Sequence, residues 1–184
     1  MNLFTNLVVL LAAILAVFWE SAFHGLRHLL GAQVDLLPAL MVYASLYGSL
    51  TTVCLLALLG GLGFDSLSAN PLGTSVLPLF LSGLAIYSNR ELILREQIFA
   101  QVVLGFAASL LTPVLSLLWL LTTGHEPLFG WGTIWQLIVM SVGGALATPV
   151  CFEIFALLHR LLGSRGAASQ SSFRPDREIR RGRS

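Results

Sequence analysis

The chain has 184 residues, of which 56% are hydrophobic and only 10% are charged, whereas a soluble globular domain has about 45–50% apolar and about 25% charged residues. So few charged side chains cannot cover a folded surface in water, and the composition therefore excludes a soluble globular protein. The net charge is +1 and no lysine occurs. Because the body of the chain has no basic stripe and no phosphate-binding loop, nucleic-acid binding is also excluded.

The first apolar run covers residues 3–19 and begins like a secretory signal sequence. No basic region precedes it and no Ala-x-Ala cleavage site follows it, so we predict a retained membrane span. Residues 20–34 follow as a loop in which Phe23, Leu26, Leu29 and Leu30 recur at helical spacing. This spacing predicts a short helix lying in the membrane interface.

The next apolar stretch, residues 36–67, is too long for one upright helix and short for two, because a span needs about 20 residues. Tyr47 and Gly48 offer a break near its middle. We predict two short or partly re-entrant helices, residues 36–46 and 49–66. The alternative is one long tilted helix, which would reduce the number of spans from six to five.

Three longer runs complete an all-α, polytopic transmembrane domain, residues 1–162. They cover residues 72–87, 98–122 and 133–162. The remaining residues, 163–184, are rich in Ser, Gly and Arg and are predicted to form a disordered cytoplasmic tail. Its arginines would either hold the tail against anionic lipid, at about 1 kcal/mol each, or only enforce topology.

The arginines predict the orientation of the spans. Arg90 and Arg95 follow the fourth span, and most other arginines lie in the tail. The positive-inside rule then places both termini in the cytoplasm if there are six spans, with Arg27 as the exception. The aromatic residues expected at the outer interface are Trp19, Trp119, Trp131 and Trp135, and those expected at the inner interface are Tyr47 and Tyr87. A five-span arrangement would instead place the N-terminus outside and Arg27 inside.

Two acidic residues inside the spans require an explanation, because a charge in hydrocarbon costs at least about 2.5–3.5 kcal/mol. Asp65 ends the third span and precedes Asn70, Pro71 and Gly73, which favour a turn. We expect its carboxylate to cap the amides that begin the fourth span. Glu153 follows Pro149 in the sixth span, and we expect it to pair with Arg160 or to reach the interface; the alternative is a polar contact with a partner subunit.

No catalytic constellation is present in the sequence. His24 and His28 share helical spacing but have no glutamate between them, so a zincin motif fails. No Gly-x-Ser-x-Gly element occurs, and no second intramembrane acid pairs with Asp65 as an aspartyl protease requires. Cys54 and Cys151 lie far apart in apolar runs, and we interpret them as buried hydrophobic residues. Neither an enzyme nor a metal or cofactor site is predicted.

Small residues four positions apart favour close helix packing, either within the chain or against a partner. Three such pairs are Ala12 with Ala16, Gly105 with Ser109, and Gly144 with Thr148.

The segment from Gly60 to Gly73 resembles the rod shape-determining protein MreD family of bacteria. It ends a span with Gly61 and Asp65, continues with Ser66 and Pro71-Leu72-Gly73, and leads into another apolar helix. The length and the short second and third spans are similar too, and the resemblance covers residues 3–162. The family often carries basic residues between these two spans, where this chain has Ala-Ser-Leu-Tyr-Gly at 44–48.

The resemblance implies a non-enzymatic, inner-membrane scaffold of the cell-elongation complex, which controls cell shape through lateral peptidoglycan synthesis. The implied partners are an MreC-like protein, the MreB filament, and RodA with its transpeptidase. The alternative is the substrate-binding component of an energy-coupling-factor vitamin transporter, whose docking motif Ala12 and Ala16 would match. Such a pocket needs convergent polar groups, and the sequence scatters those of the outer side: Glu20, Asp35, Asn70, His125 and Glu126.

Overall fold

The computed structural model describes residues 3–22, 35–67, 71–93, 97–122 and 130–167, and these ranges contain helices and no strands. The all-α prediction is confirmed for them. In chain order the helices are α1 (Leu3–Ala22), α2 (Leu37–Tyr47), α3 (Leu50–Leu67), α4 (Val76–Ser88), α5 (Ile98–Thr122) and α6 (Trp131–Ala167). The predicted interface helix lies mostly outside the described residues. The chain divides into two compact units, Met1–Phe152 and Glu153–Ser184.

The break predicted at Tyr47 and Gly48 is present. Gly48 ends α2, where its N–H donates to the carbonyl of Ala44 over 2.7 Å, and α3 begins two residues later. The hydroxyl of Ser49 accepts the N–H of Thr52 over 3.3 Å, which satisfies one of the free amides in the first turn of α3. The single long helix of the five-span alternative is therefore not formed.

Two helix boundaries differ from the prediction by four residues or more. The helix α4 begins at Val76 rather than at residue 72, because residues 72–75 form a turn. The helix α6 continues to Ala167, so it includes residues 163–167, which we assigned to the tail. The rest of the tail lies outside the described residues.

Three of the described helices are long and apolar enough to cross a membrane: α3, α5, and α6 from Trp131 to Leu158. The short helices α2 and α4 have 11 and 13 residues. At about 1.5 Å per residue they extend about 16 and 20 Å, less than the hydrocarbon thickness of about 30 Å.

The helix α2 forms the centre of the first unit. All ten of its residues from Leu37 to Leu46 are buried, and it packs against α1, α3, α4 and α5. Its sequence is apolar on every side, which is the pattern of a helix surrounded by protein.

Glycines allow this close packing. A Cβ on Gly61 of α3 would lie 2.8 Å from the Cα of Val76 at the start of α4, and one on Gly83 of α4 would lie 2.5 Å from the sulfur of Met41 in α2. Contacts this short do not occur, so a side chain at Gly61 would force the two helices apart, and one at Gly83 would require the side chain of Met41 to move.

The two small-residue pairs of α5 and α6 face each other inside the first unit. A Cβ on Gly105 would lie 2.7 Å from the carbonyl oxygen of Gly144, and one on Gly144 would clash with the hydroxyl of Ser109. Thr148 is fully buried and donates its hydroxyl to the carbonyl of Gly144 over 2.8 Å. These pairs therefore pack within the chain.

Candidate interaction sites

Asp65 anchors the turn between α3 and α4. Its side chain is 1% exposed, and its Oδ2 accepts the N–H of Gly73 over 2.8 Å and the N–H of Ser75 over 3.1 Å. The two main-chain N–H groups on one carboxylate oxygen fix the Asp65 side chain in this turn, next to the N-terminus of α4.

The local sequence explains why α4 needs a cap from another helix. Ser75 stands at the N-cap position of α4, but its own side chain makes no capping hydrogen bond. The turn before it depends on Gly73, whose φ of +92° is in the left-handed region that favours glycine. Thr74 closes the turn by donating its hydroxyl to the carbonyl of Pro71 over 2.7 Å.

The contact that we expected between Asp65 and the amides that begin the fourth span is present, with donors in the turn and at the N-cap, just before the first residue of α4. Pro71 and Gly73 belong to the same turn, as the segment predicted, while Asn70 lies outside the described residues. We call Asp65 together with residues 71–75 the Asp65 turn.

A pair of carboxyl groups forms a second site, which joins the end of α1 to the start of α2. Glu20 accepts the N–H of Leu36 with its Oε1 over 2.5 Å, and Asp35 accepts the N–H of Leu37 with its Oδ1 over 2.9 Å. The other oxygen of Glu20, Oε2, is buried and has no hydrogen-bond partner among the described residues. We call these two acids and the two amides the acidic clasp.

The acidic clasp was not predicted, because Glu20 and Asp35 are scattered in the sequence. In the structure the two carboxyl groups accept adjacent amides, those of Leu36 and Leu37, so a charge on Asp35 opposes one on Glu20. Asp35 is buried, and burial raises the pKa of its carboxyl to about 6. The only signal in the sequence was the presence of an acid at each border of a polar loop.

The opposite end of the first unit carries an arginine on an aromatic surface. The guanidinium of Arg90 lies 4.3 Å from the ring centre of Tyr87 and donates to the carbonyl of Gly48 over 3.3 Å. This contact ties the loop after α4 to the break between α2 and α3. It combines a cation–π contact with a charged hydrogen bond.

Three aromatic rings form a second cluster on the same helix break. Tyr43 and Tyr47 stack with ring centres 5.2 Å apart, and Phe152 meets both rings edge-on, at 5.2 and 5.8 Å. Tyr47 and Tyr87, the two tyrosines that we expected at the inner interface, thus lie at one end of α2 and α4, beside Arg90. The cluster also fixes α6 against α2.

The remaining predicted residues are not brought together. Glu153 lies in the second unit and its side chain is exposed on α6. Ala12 and Ala16 are half-buried on α1, whereas the residues of this helix that pack fully are Val9, Ala13 and Val17. The roles predicted for Glu153, Ala12 and Ala16 remain predictions.

Within the described ranges, no group of three or more His, Cys, Asp or Glu side chains is placed to hold a metal ion. Cys54 and Cys151 are free thiols; Cys54 is exposed and Cys151 is half-buried, so the prediction that both are buried is wrong for Cys54. A comparison with known protein families, curated proteins and solved structures finds no match to this chain.

Proposed function

We propose that this protein is a non-enzymatic membrane scaffold of the bacterial cell-elongation complex, similar to the MreD family. The observation that carries the proposal is the Asp65 turn. The segment that resembles the family, residues 60–73, is also where a buried carboxylate fixes one helix to the next. A rigid turn of this kind is suited to presenting a fixed surface to a partner, because its geometry does not depend on the partner.

We further propose six membrane spans in the bacterial inner membrane. Large apolar side chains are exposed on α1, α3 and α5, where lipid would contact them: Leu7, Leu11, Ile14, Phe18, Leu58, Leu62, Val103 and Phe106. A water-soluble monomer rarely exposes apolar surface on this scale. The shorter helix α2 is tolerated at membrane depth because neighbouring helices, not lipid, surround it.

In this arrangement both termini are cytoplasmic. The end of the first unit that carries Arg90 and the tyrosines faces the cytoplasm, in agreement with the positive-inside rule and with the interfacial preference of Tyr. The Asp65 turn and the acidic clasp then face outward. Reporter fusions after residues 70 and 93 test this arrangement: alkaline phosphatase should be active after residue 70, and a fluorescent protein should be bright after residue 93. The reverse result would contradict it.

Copurification tests the function. A tagged chain, extracted from its own host in mild detergent, should retain an MreC-like protein and, through it, the MreB filament, RodA and its transpeptidase. Recovery of an ATPase coupling subunit or a bound vitamin would overturn the proposal in favour of a vitamin-transporter component.

A matched pair of variants makes the copurification specific to the Asp65 turn. Asp65→Ala should reduce recovery of the MreC-like protein at least in proportion to the loss of folded chain. Ser66→Ala changes the exposed neighbour, whose hydroxyl donates only to the carbonyl of Gly63, and should leave recovery unchanged. Equal recovery with both variants would contradict a role for the turn in presenting the partner surface.

A further inference from the structure

The acidic clasp has more negative charge than the described residues around it neutralise. Two carboxyl groups, Glu20 and Asp35, accept one main-chain N–H each, at Leu36 and Leu37, and the Oε2 of Glu20 is buried without a partner. One N–H for each carboxyl group and the start of an eleven-residue helix do not compensate two full charges in a buried site. A proton on one of the two carboxyl groups would remove the repulsion between them.

The helices packed around the clasp supply no compensating positive charge among their described residues. In α3 the only acid is Asp65, whose Oδ2 is already engaged by Gly73 and Ser75, and Cys54 is near the other end. The only titratable residue of α4 is Tyr87, in its last turn, and α5 has none. His24, Arg27 and His28 lie in the sequence between Glu20 and Asp35, outside the described residues, so the experiment must separate their titration from that of the clasp.

We propose that the acidic clasp is a proton-dependent contact: a proton on one of its carboxyl groups holds the end of α1 to the start of α2, and loss of that proton weakens this contact. The proposal is independent of the proposed function, since it depends only on contacts within the chain. If the six-span topology holds, the clasp reports the pH outside the cell.

The sign of the effect follows from burial. A carboxyl group whose pKa is higher in the folded state binds more protons when folded, so its contribution to stability is complete at low pH and is lost as the pH rises. For Asp35 the loss begins near pH 4, its ordinary value, and continues through about pH 6. The contact should therefore be firm at pH 5 and weak at pH 8.

Hydrogen exchange of the full-length chain in detergent, read by mass spectrometry, tests this directly. The measured quantity is the protection factor of a peptide covering residues 35–47, corrected for intrinsic exchange at each pH. We expect it to fall at least about tenfold from pH 5 to pH 8, since each pKa unit corresponds to a factor of ten. A protection factor that does not change with pH would overturn the proposal.

Four variants assign the effect. Glu20→Gln keeps a carbonyl oxygen for the N–H of Leu36 but cannot carry a charge, so the fall in the protection factor between pH 5 and pH 8 should disappear. Asp35→Asn is the second variant in case the first does not fold. Glu91→Gln removes an exposed acid at the other end of α4 and should keep the fall. The double variant His24→Gln, His28→Gln should keep it too. A fall that survives Glu20→Gln and Asp35→Asn, or that vanishes in the histidine variant, would refute the assignment.

Discussion

The Asp65 turn and the acidic clasp both join the end of one helix to the start of another, but they differ in the number of main-chain donors for each carboxyl group. In the turn, one carboxylate oxygen receives two main-chain N–H groups at the start of α4. In the clasp, two carboxyl groups receive one N–H each at the start of α2. The difference teaches that buried acids can join one helix to the start of the next with very different numbers of main-chain donors per carboxyl group. The same chemistry, an acid capping a neighbouring helix, therefore gives a fixed joint in one place and a proton-dependent one in the other.

The largest effect is expected for Asp65→Ala. The substitution leaves the N–H groups of Gly73 and Ser75 without their acceptor next to a buried site, which should lower the free energy of unfolding by about 2–5 kcal/mol. The measurement is thermal unfolding in detergent at pH 7, with Ser66→Ala as the control. A midpoint equal to that of the control would show that the joint is not fixed by this carboxylate.

A substitution that changes no charge gives a reference for the stability changes expected at the two acid sites. Gly144→Ala places a methyl group against the hydroxyl of Ser109 and should destabilise the chain by about 1–3 kcal/mol. The hydroxyl of Ser109 is buried without a hydrogen-bond partner, so Ser109→Ala alone should cost little and should recover part of the loss in the double variant. If the effects of the two substitutions on the free energy of unfolding simply add, α5 and α6 are not packed as closely as in the structure.

The conformation of the turn is separable from its charge. Gly73→Ala keeps Asp65 but introduces a side chain at a φ of +92°, which should cost about 1–2 kcal/mol. Gly132→Ala is the matched control, because Gly132 has ordinary φ and nothing within 4 Å of an added Cβ. If Gly73→Ala were as damaging as Asp65→Ala, the backbone and not the carboxylate would be the main determinant of the turn.

The same acid-to-amide change should have opposite signs at the two sites. At pH 8, Glu20→Gln relieves repulsion and should raise the free energy of unfolding by about 1 kcal/mol, whereas Asp65→Asn weakens two charged hydrogen bonds and should lower it by about 1 kcal/mol. Unfolding of both variants at pH 8, compared with the wild type, is the measurement. Changes of equal sign would erase the distinction between the two sites.

The smallest effect is expected for removal of the tail. Deleting residues 168–184 leaves α6 complete to Ala167, so membrane insertion, folded yield and rod shape should be retained. The readouts are the amount of chain in the membrane fraction and the shape of complemented cells. Complete loss of rod shape would assign the basic tail a role beyond contact with lipid.

Apolar run length and a single glycine predicted most of the helix pattern. The predicted runs 36–46 and 49–66 differ from α2 and α3 by one residue at each end, because Gly48 ends one helix and few other residues in that stretch permit a break. The late start of α4 was not predictable from apolarity, since Leu72 continues the run. The structure excludes Leu72 from the helix because the turn needs Gly73 at positive φ.

The candidate sites also differ in whether the sequence predicts them. The cap by Asp65 was predictable because acid and amides are separated by fewer than a dozen residues and a turn lies between them. The acidic clasp was not predictable, because no sequence signal indicates that Glu20 lies next to Leu36. The packing of α1 against α2 and α3 brings these two residues together. Likewise nothing in the sequence joins Phe152 to Tyr43, which depends on the fold of the whole first unit.

The burial of α2 has a consequence for biosynthesis. The translocon releases hydrophobic segments into lipid as they emerge, yet this helix has no face for lipid and only 11 residues. Its surroundings include α5, which the ribosome makes more than fifty residues later. The helix can reach its final place only once that later segment has been synthesised, so the centre of the bundle is completed after most of its periphery.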